Sequence, residues 1–171
     1  MTPRSPTSVL FSRRLRAFTL VEIMVVVVLI GLLAAMALPT FRRVTMRSKM
    51  SALENDLRQF STAFITYNLQ NARWPADGDP QTPPPELATA LPSNFSHVTP
   101  IGGVYKWSAD VPADGIACKA AIIVQTAAGL LPVTDDEELF LMIDRQMDDG
   151  NLETGMMQVG STNSLVYIIE R

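Results

Sequence analysis

Two hydrophobic patterns with different periods run through the first seventy residues. From Ile23 to Leu38 the chain reads IMVVVVLIGLLAAMAL, sixteen residues without a charge; counted from Phe18, only Thr19 and Glu22 interrupt a stretch of twenty-one. At 1.5 Å per residue this is about 31 Å of helix, the thickness of a bilayer's hydrocarbon core. Beyond it, Met46, Met50, Leu53, Leu57, Phe60, Phe64 and Tyr67 recur at alternating spacings of four and three, while Arg47, Lys49, Glu54, Asp56 and Arg58 fall off that stripe. This is the period of a helix with one face against a core. One long helix from Phe18 to about Asn71 follows, about 80 Å by the same rise, with a bend expected at Pro39 where an i−4 hydrogen bond is lost.

Trp74-Pro75 ends the helical pattern, because proline pushes the residue before it out of the α region. The segment 76–95 is rich in proline and has no clean period, so it reads as a surface connection, with Pro83-Pro84-Pro85 as a stiffener. Val104 to Trp107 alternates as a strand should. Asp114-Gly115 turns into a second strand over Ile116–Val124 that encloses Cys118 as a small buried hydrophobe. Thr134 to Glu137 has the form of a capping box ahead of an amphipathic helix over about 135–147. Asp148 to Asn151 is a turn, and 156–159 with 165–169 forms a closing hairpin. The fold class is therefore α+β, with a long N-terminal helix whose second half packs on a small antiparallel sheet.

Charge sharpens the division. Residues 1–17 carry four arginines and no acid, residues 18–49 a net charge of +3, and residues 50–171 a net charge of −10. Basic head, apolar segment and acidic body follow one another. An apolar run in that setting has three readings: a core helix, a secretory signal peptide cut after Ala37 within Ala35-Met36-Ala37, or a retained membrane helix. Glu22 bears on the choice, since an ionisable residue at the membrane end of such a run is costly and functional by default, and a discarded signal peptide gains nothing from it.

The stretch Arg16-Ala17-Phe18-Thr19-Leu20-Val21-Glu22, followed by the apolar run, resembles the type III signal of type IV pilins and type II secretion pseudopilins, over residues 13–41. The resemblance implies a pilin-like fold, removal of a 1–17 leader by a prepilin peptidase between Ala17 and Phe18, and methylation of the new N-terminus. Ala17 stands where the family strongly prefers glycine. The resemblance also makes Phe18, Glu22, Gly31 and Pro39 assembly residues: Glu22 is the family's acid inside the helix, and Gly31 and Pro39 match positions where that helix loosens in filaments. It divides the chain into a transmembrane and assembly helix over 18–39, an amphipathic half over 40–73 and a globular head over 74–171. The partners implied are the peptidase, further copies of the chain, other pseudopilins and an inner-membrane assembly platform. The implied location is a single pass through the bacterial inner membrane with the head in the periplasm.

Chemistry adds little. One cysteine excludes an internal disulfide or a Cys-based zinc site. His97 has no acid near it in sequence, no G-x-S-x-G, H-E-x-x-H or phosphate loop occurs, and nothing points to an enzyme or to a nucleic-acid partner. One acidic turn stands out: Asp148, Asp149, Asn151 and Glu153 around Gly150, with Asp144 just before. Hard oxygen ligands at alternate positions of a tight turn suit Ca²⁺, although the spacing is not that of an EF-hand. The resemblance adds that major pseudopilins carry calcium in a loop near the C-terminus; a solvated turn is the alternative. The function expected is a structural subunit of a type II secretion pseudopilus. The alternatives are a type IV pilus subunit or, in another class, a secreted ligand-binding protein released after Ala37.

Overall fold

A single helix, α1 (Leu20–Asn71), takes up both hydrophobic patterns in the computed structural model, which describes residues 18–110 and 112–171. The expected leader, and Ala17 with it, lies outside the described residues. The helix runs unbroken through Pro39. It ends earlier than the Trp74-Pro75 pair: Asn71 donates its side-chain amide to Tyr67 O at 2.9 Å, and Ala72 turns left-handed at φ +53, the termination usually given to glycine. The chain divides into two compact units at Arg42/Arg43, so the amphipathic half of α1 belongs with the head.

Within the Arg43–Arg171 unit the architecture is α+β and pilin-like. Strands β1 (Val104–Ala109), β2 (Ala120–Gln125), β3 (Met157–Val159) and β4 (Leu165–Glu170) form an antiparallel sheet in the order β1-β2-β4-β3, and α2 (Glu137–Met147) crosses between β2 and β3 in sequence. Register aligns Trp107 with Ile122 and Ile122 with Tyr167, and Tyr105 with Val124 and Val124 with Leu165. One face of the sheet thus presents Tyr105, Trp107, Ile122, Val124 and Leu165 to the α1 stripe of Met50, Leu53, Leu57, Phe60 and Phe64. The Phe64 ring stacks on Trp107, with centroids 3.7 Å apart and planes 7° apart, and Phe60 meets Tyr105 edge-on. The opposite face carries a smaller cluster of Ala121, Ile123, Val166 and Ile168 under Ala113, Ile116, Cys118 and Met156. Burial on both faces is why β2 reads as an unbroken apolar run rather than an alternation.

Polar groups pin the layers. The Asp56 carboxylate on α1 accepts from Tyr105 Oη at 2.8 Å and from Asn94 Nδ2 at 2.6 Å; burial, then this contact with Asp56, pushes the Tyr105 phenol far above its ordinary pKa. Trp107 Nε1 donates to Pro75 O at 3.1 Å. Gly78 N and Gln81 N donate to the carbonyls of Trp107 and Tyr105, so the proline-rich segment covers the free edge of β1.

Several boundaries differ from the sequence expectation. The segment 76–95 is not only a connection: short 3-10 turns at Pro85–Leu87 and Ser93–Ser96 drive Leu87, Leu91 and Phe95 into the core. β2 starts at Ala120, not Ile116, because the Asp114-Gly115 turn closes at once in an Ala113–Ile116 bridge. Cys118 therefore precedes the strand and is half-buried. The capping box at Thr134 does not form; Asp136 is the N-cap of α2, its Oδ1 accepting from Leu139 N at 3.2 Å, while Thr134 Oγ1 accepts from Asp136 N.

Asp114 ties the turn after β1 to the β3–β4 hairpin. Its carboxylate accepts from Ser164 Oγ at 2.6 Å, Thr162 Oγ1 at 2.7 Å, and Thr162 N and Ser161 Oγ at 2.9 Å. Partial burial alone would raise its pKa, but the bonds from Ser164, Thr162 and Ser161 outweigh it and bring the carboxyl from 3.8 to about 2. A depressed folded-state pKa stabilises above the unfolded value and is lost as pH falls through the folded one. Asp114→Asn is expected to cost about 1–2 kcal/mol at pH 7, the lower part of the range for hydrogen bonds to a charge because the site is part-exposed. The gap from the parent should close as pH falls from about 4 to about 2, read as urea-unfolding free energies across that range.

Candidate functional site

Two places carry groups whose surroundings the fold does not explain. The first is the start of α1. Thr19 caps the helix: Glu22 N, the third helical amide, donates to Thr19 O at 3.1 Å and Thr19 Oγ1 at 3.3 Å. Thr19-Leu20-Val21-Glu22 has the capping-box spacing, a signal the sequence carries as plainly as that at Thr134. Glu22 thus sits in the first turn, where the helix dipole favours an acid. It has a reason to be there within one chain.

From Leu20 to Leu38 every large apolar side chain of α1 is 46–81% exposed, and this is the one helix among the described residues long and apolar enough to cross a membrane. A fully apolar helix needs lipid or other helices around it. Gly31 lies within this stretch, and an added Cβ there would meet nothing within 4 Å. Glycine inside a helix costs about 1 kcal/mol relative to alanine, and no contact among the described residues requires it. Phe18 is exposed just ahead of the helix. Phe18, Glu22, Gly31 and Pro39 therefore all lie on exposed helix or at its start.

The second place is the C-terminal end of α2. One carboxylate oxygen each from Asp144, Asp148 and Asp149 lies within 4.8 Å of the others. Asp149 Oδ1 accepts from Asn151 N at 2.9 Å and its Oδ2 from Thr154 Oγ1 at 2.8 Å, while Asp148 Oδ2 accepts from Met156 N and from Met157 N, the latter at 3.0 Å. Gly155, at φ +76, lets the backbone pass where a Cβ would collide with the Asp148 carboxylate.

Asp144 differs from its neighbours. It is fully buried, and neither of its oxygens has a hydrogen-bond partner. Burial, then the charges of Asp149 and Asp148, push its carboxyl above the usual range; the amides of Gly150 and Asn151 oppose this from nearby without completing a bond of ordinary geometry. Three acids at the negative pole of a helix, one of them orphaned, form an arrangement a cation would relieve.

Of the four ligands expected from sequence, Asp148 and Asp149 converge, with Asp144 as the third carboxylate. Asn151 Oδ1 accepts from Glu153 N at 3.1 Å, and Glu153 lines a separate groove with Asp135 and Glu137. Asp144 is marked out by its place on the buried side of α2, with Phe140 and Ile143.

Residues 12–38 match the family model described as the prokaryotic N-terminal methylation motif. The chain is 47% identical over 64 residues to the type IV major pilin protein PilA of Myxococcus xanthus, covering 37% of this chain and 29% of that protein. It is 40% identical over 62 residues to the fimbrial protein EcpC of Eikenella corrodens, covering 36% and 40%. It is 36% identical over 64 residues to the type II secretion system core protein G of Pseudomonas aeruginosa, covering 37% and 45%. The aligned stretch thus spans less than half the length of each of these relatives.

Proposed function

Because this chain belongs to the family of type IV pilins and type II secretion pseudopilins, we propose that it is a structural subunit of a type II secretion pseudopilus. It is stored in the inner membrane by α1 with its head in the periplasm, and it polymerises through that helix to support protein export. The observation that carries this reading is the two-part α1: its first half is apolar and exposed all round, with an acid in the first turn, and its second half is the buried backbone of the head. A prepilin peptidase cuts between Ala17 and Phe18, and the new terminus is methylated. Glu22 then lies about one helical turn from the Phe18 amine of its own chain, and in lipid each carboxylate favours the register in which it pairs with the amine of an adjacent copy. Gly31 and Pro39 are where helix packing is close or the helix yields. Further partners are other pseudopilins and an inner-membrane platform.

Names among the relatives favour a second reading, since PilA and EcpC are pilus and fimbrial proteins. Deletion of the gene in its host separates the two. Loss of folded exoproteins from the medium with surface pili intact supports the pseudopilus; loss of surface pili with secretion intact supports the pilus.

Calcium belongs to the same proposal as a structural ion. The orphaned Asp144 carboxylate with Asp148 and Asp149 offers hard oxygens that fit it. Bound there, calcium would neutralise the three acids and hold the 148–157 turn against α2. Binding to the folded state alone adds about 2.7 kcal/mol at a hundred times Kd, or about 5–10 °C in Tm for a domain of this size. The mature chain in detergent should melt higher in millimolar calcium than in chelator, and magnesium should substitute poorly. Asp144→Asn should abolish the response while raising the melting point in chelator, because an unpaired buried charge is removed. A Tm indifferent to calcium would leave the turn as solvated acid.

A further inference from the structure

A groove opens in the Arg43–Arg171 unit where the head-side start of α1 meets the last turn of α2, lined by Arg47, Met50, Ser51, Met142, Arg145 and Gln146. Its two guanidiniums come from different helices, and both are exposed. Neither makes an ion pair among the described residues. Exposed Arg43 and Lys49 stand on the same stretch of α1. No acid occurs between Glu22 and Glu54, and Glu54 is already taken by Arg58 and Gln146. Arg43, Arg47 and Lys49 therefore have no acid on their own stretch of α1. Arg145 is followed by Asp148 and Asp149 but pairs with neither among the described residues, and Met50 and Met142 add apolar surface to the groove.

Two guanidiniums over apolar side chains suit a phosphodiester attached to a hydrophobic body. Position favours the same ligand. Arg47 follows the last residue of the apolar run, Leu38, by nine residues, about 14 Å along a helix. Arginine stems reach several ångströms back toward an interface, and the headgroup layer adds about 5–8 Å beyond the hydrocarbon on each side.

We propose that this groove binds the phosphate of an anionic phospholipid in the membrane that holds α1. The proposal rests on the reading that α1 spans a bilayer. A second copy of the chain would offer carboxylates, but the stored subunit meets lipid phosphate before it meets a neighbour. One basic residue at an anionic surface is worth about fivefold in binding, so losing both arginines should cost about twenty-five-fold, and added salt should weaken binding.

The test is titration of the mature full chain, in neutral detergent, with phosphatidylglycerol, with retained lipid counted by native mass spectrometry. The parent should retain phosphatidylglycerol in preference to phosphatidylcholine, and inorganic phosphate should not displace it. R47Q/R145Q should bind about twenty-five-fold more weakly with an unchanged circular dichroism spectrum, and R73Q, just beyond the far end of α1, should match the parent. Equal retention by R47Q/R145Q, no preference over phosphatidylcholine, or displacement by phosphate alone would overturn the proposal. So would a double variant that keeps the lipid but no longer cross-links to parent copies, which would assign the groove to a second subunit. Carbonate-resistant insertion is scored alongside: insertion without lipid preference counts against the groove alone, and loss of insertion in the parent counts against the spanning helix.

Discussion

Glu22→Ala should leave processing and membrane insertion intact and abolish fibre assembly. Between two helices in lipid the carboxylate and a neighbouring amine each lose water, and breaking one side of such a pair costs about 3–5 kcal/mol. That shifts the concentration needed for assembly by a hundredfold or more. The structure supplies a rival cause, since Glu22 is also the third residue of a helix capped by Thr19. Glu22→Gln separates the two, because glutamine serves a capping box as well as glutamate does but carries no charge. If pairing sets the register, the glutamine variant fails to assemble as the alanine variant does. If capping is the whole role, glutamine restores fibres, counted by shearing and immunoblot.

Phe64→Ala should be the most damaging single change in the head, at about 3–5 kcal/mol. Phe64 is fully buried and lies face to face with Trp107 while touching Phe95. Removing it opens a hole where the helix, the sheet and the 76–95 segment meet, and aromatic pair energy is lost beyond the area. Leu69→Ala, five residues further along the same helix but 79% exposed, should change stability by less than about 0.5 kcal/mol. Urea unfolding of both variants checks the contrast. Equal effects would mean that the stripe is not the packing face.

The helix stripe, both hairpins and the N-terminal methylation motif were legible because each is a local pattern: a period of 3.6, an alternation, or a contiguous motif. The core role of Leu87, Leu91 and Phe95 was not, because their burial comes from two short 3-10 turns in a proline-rich segment whose period no helix or strand template fits. The two capping errors share a cause. Thr19 and Thr134 each precede a glutamate by three residues, and only tertiary context decides that Asp136 supersedes Thr134. The acidic turn, Asp144 included, is visible in the sequence, but the burial that sets Asp144 apart is not, because it depends on what α2 packs against. Asp114 went unnoticed for a similar reason, since its hydroxyl partners lie some fifty positions away in sequence.

The account turns on where the mature chain begins. Intact mass of the protein extracted from host membranes measures this directly, with fragmentation to read the terminal residue. A chain starting at Phe18 and carrying one added methyl is the result expected. A chain starting at Leu38, recovered from the medium rather than the membrane, would contradict it and make the head a secreted protein with no assembly helix.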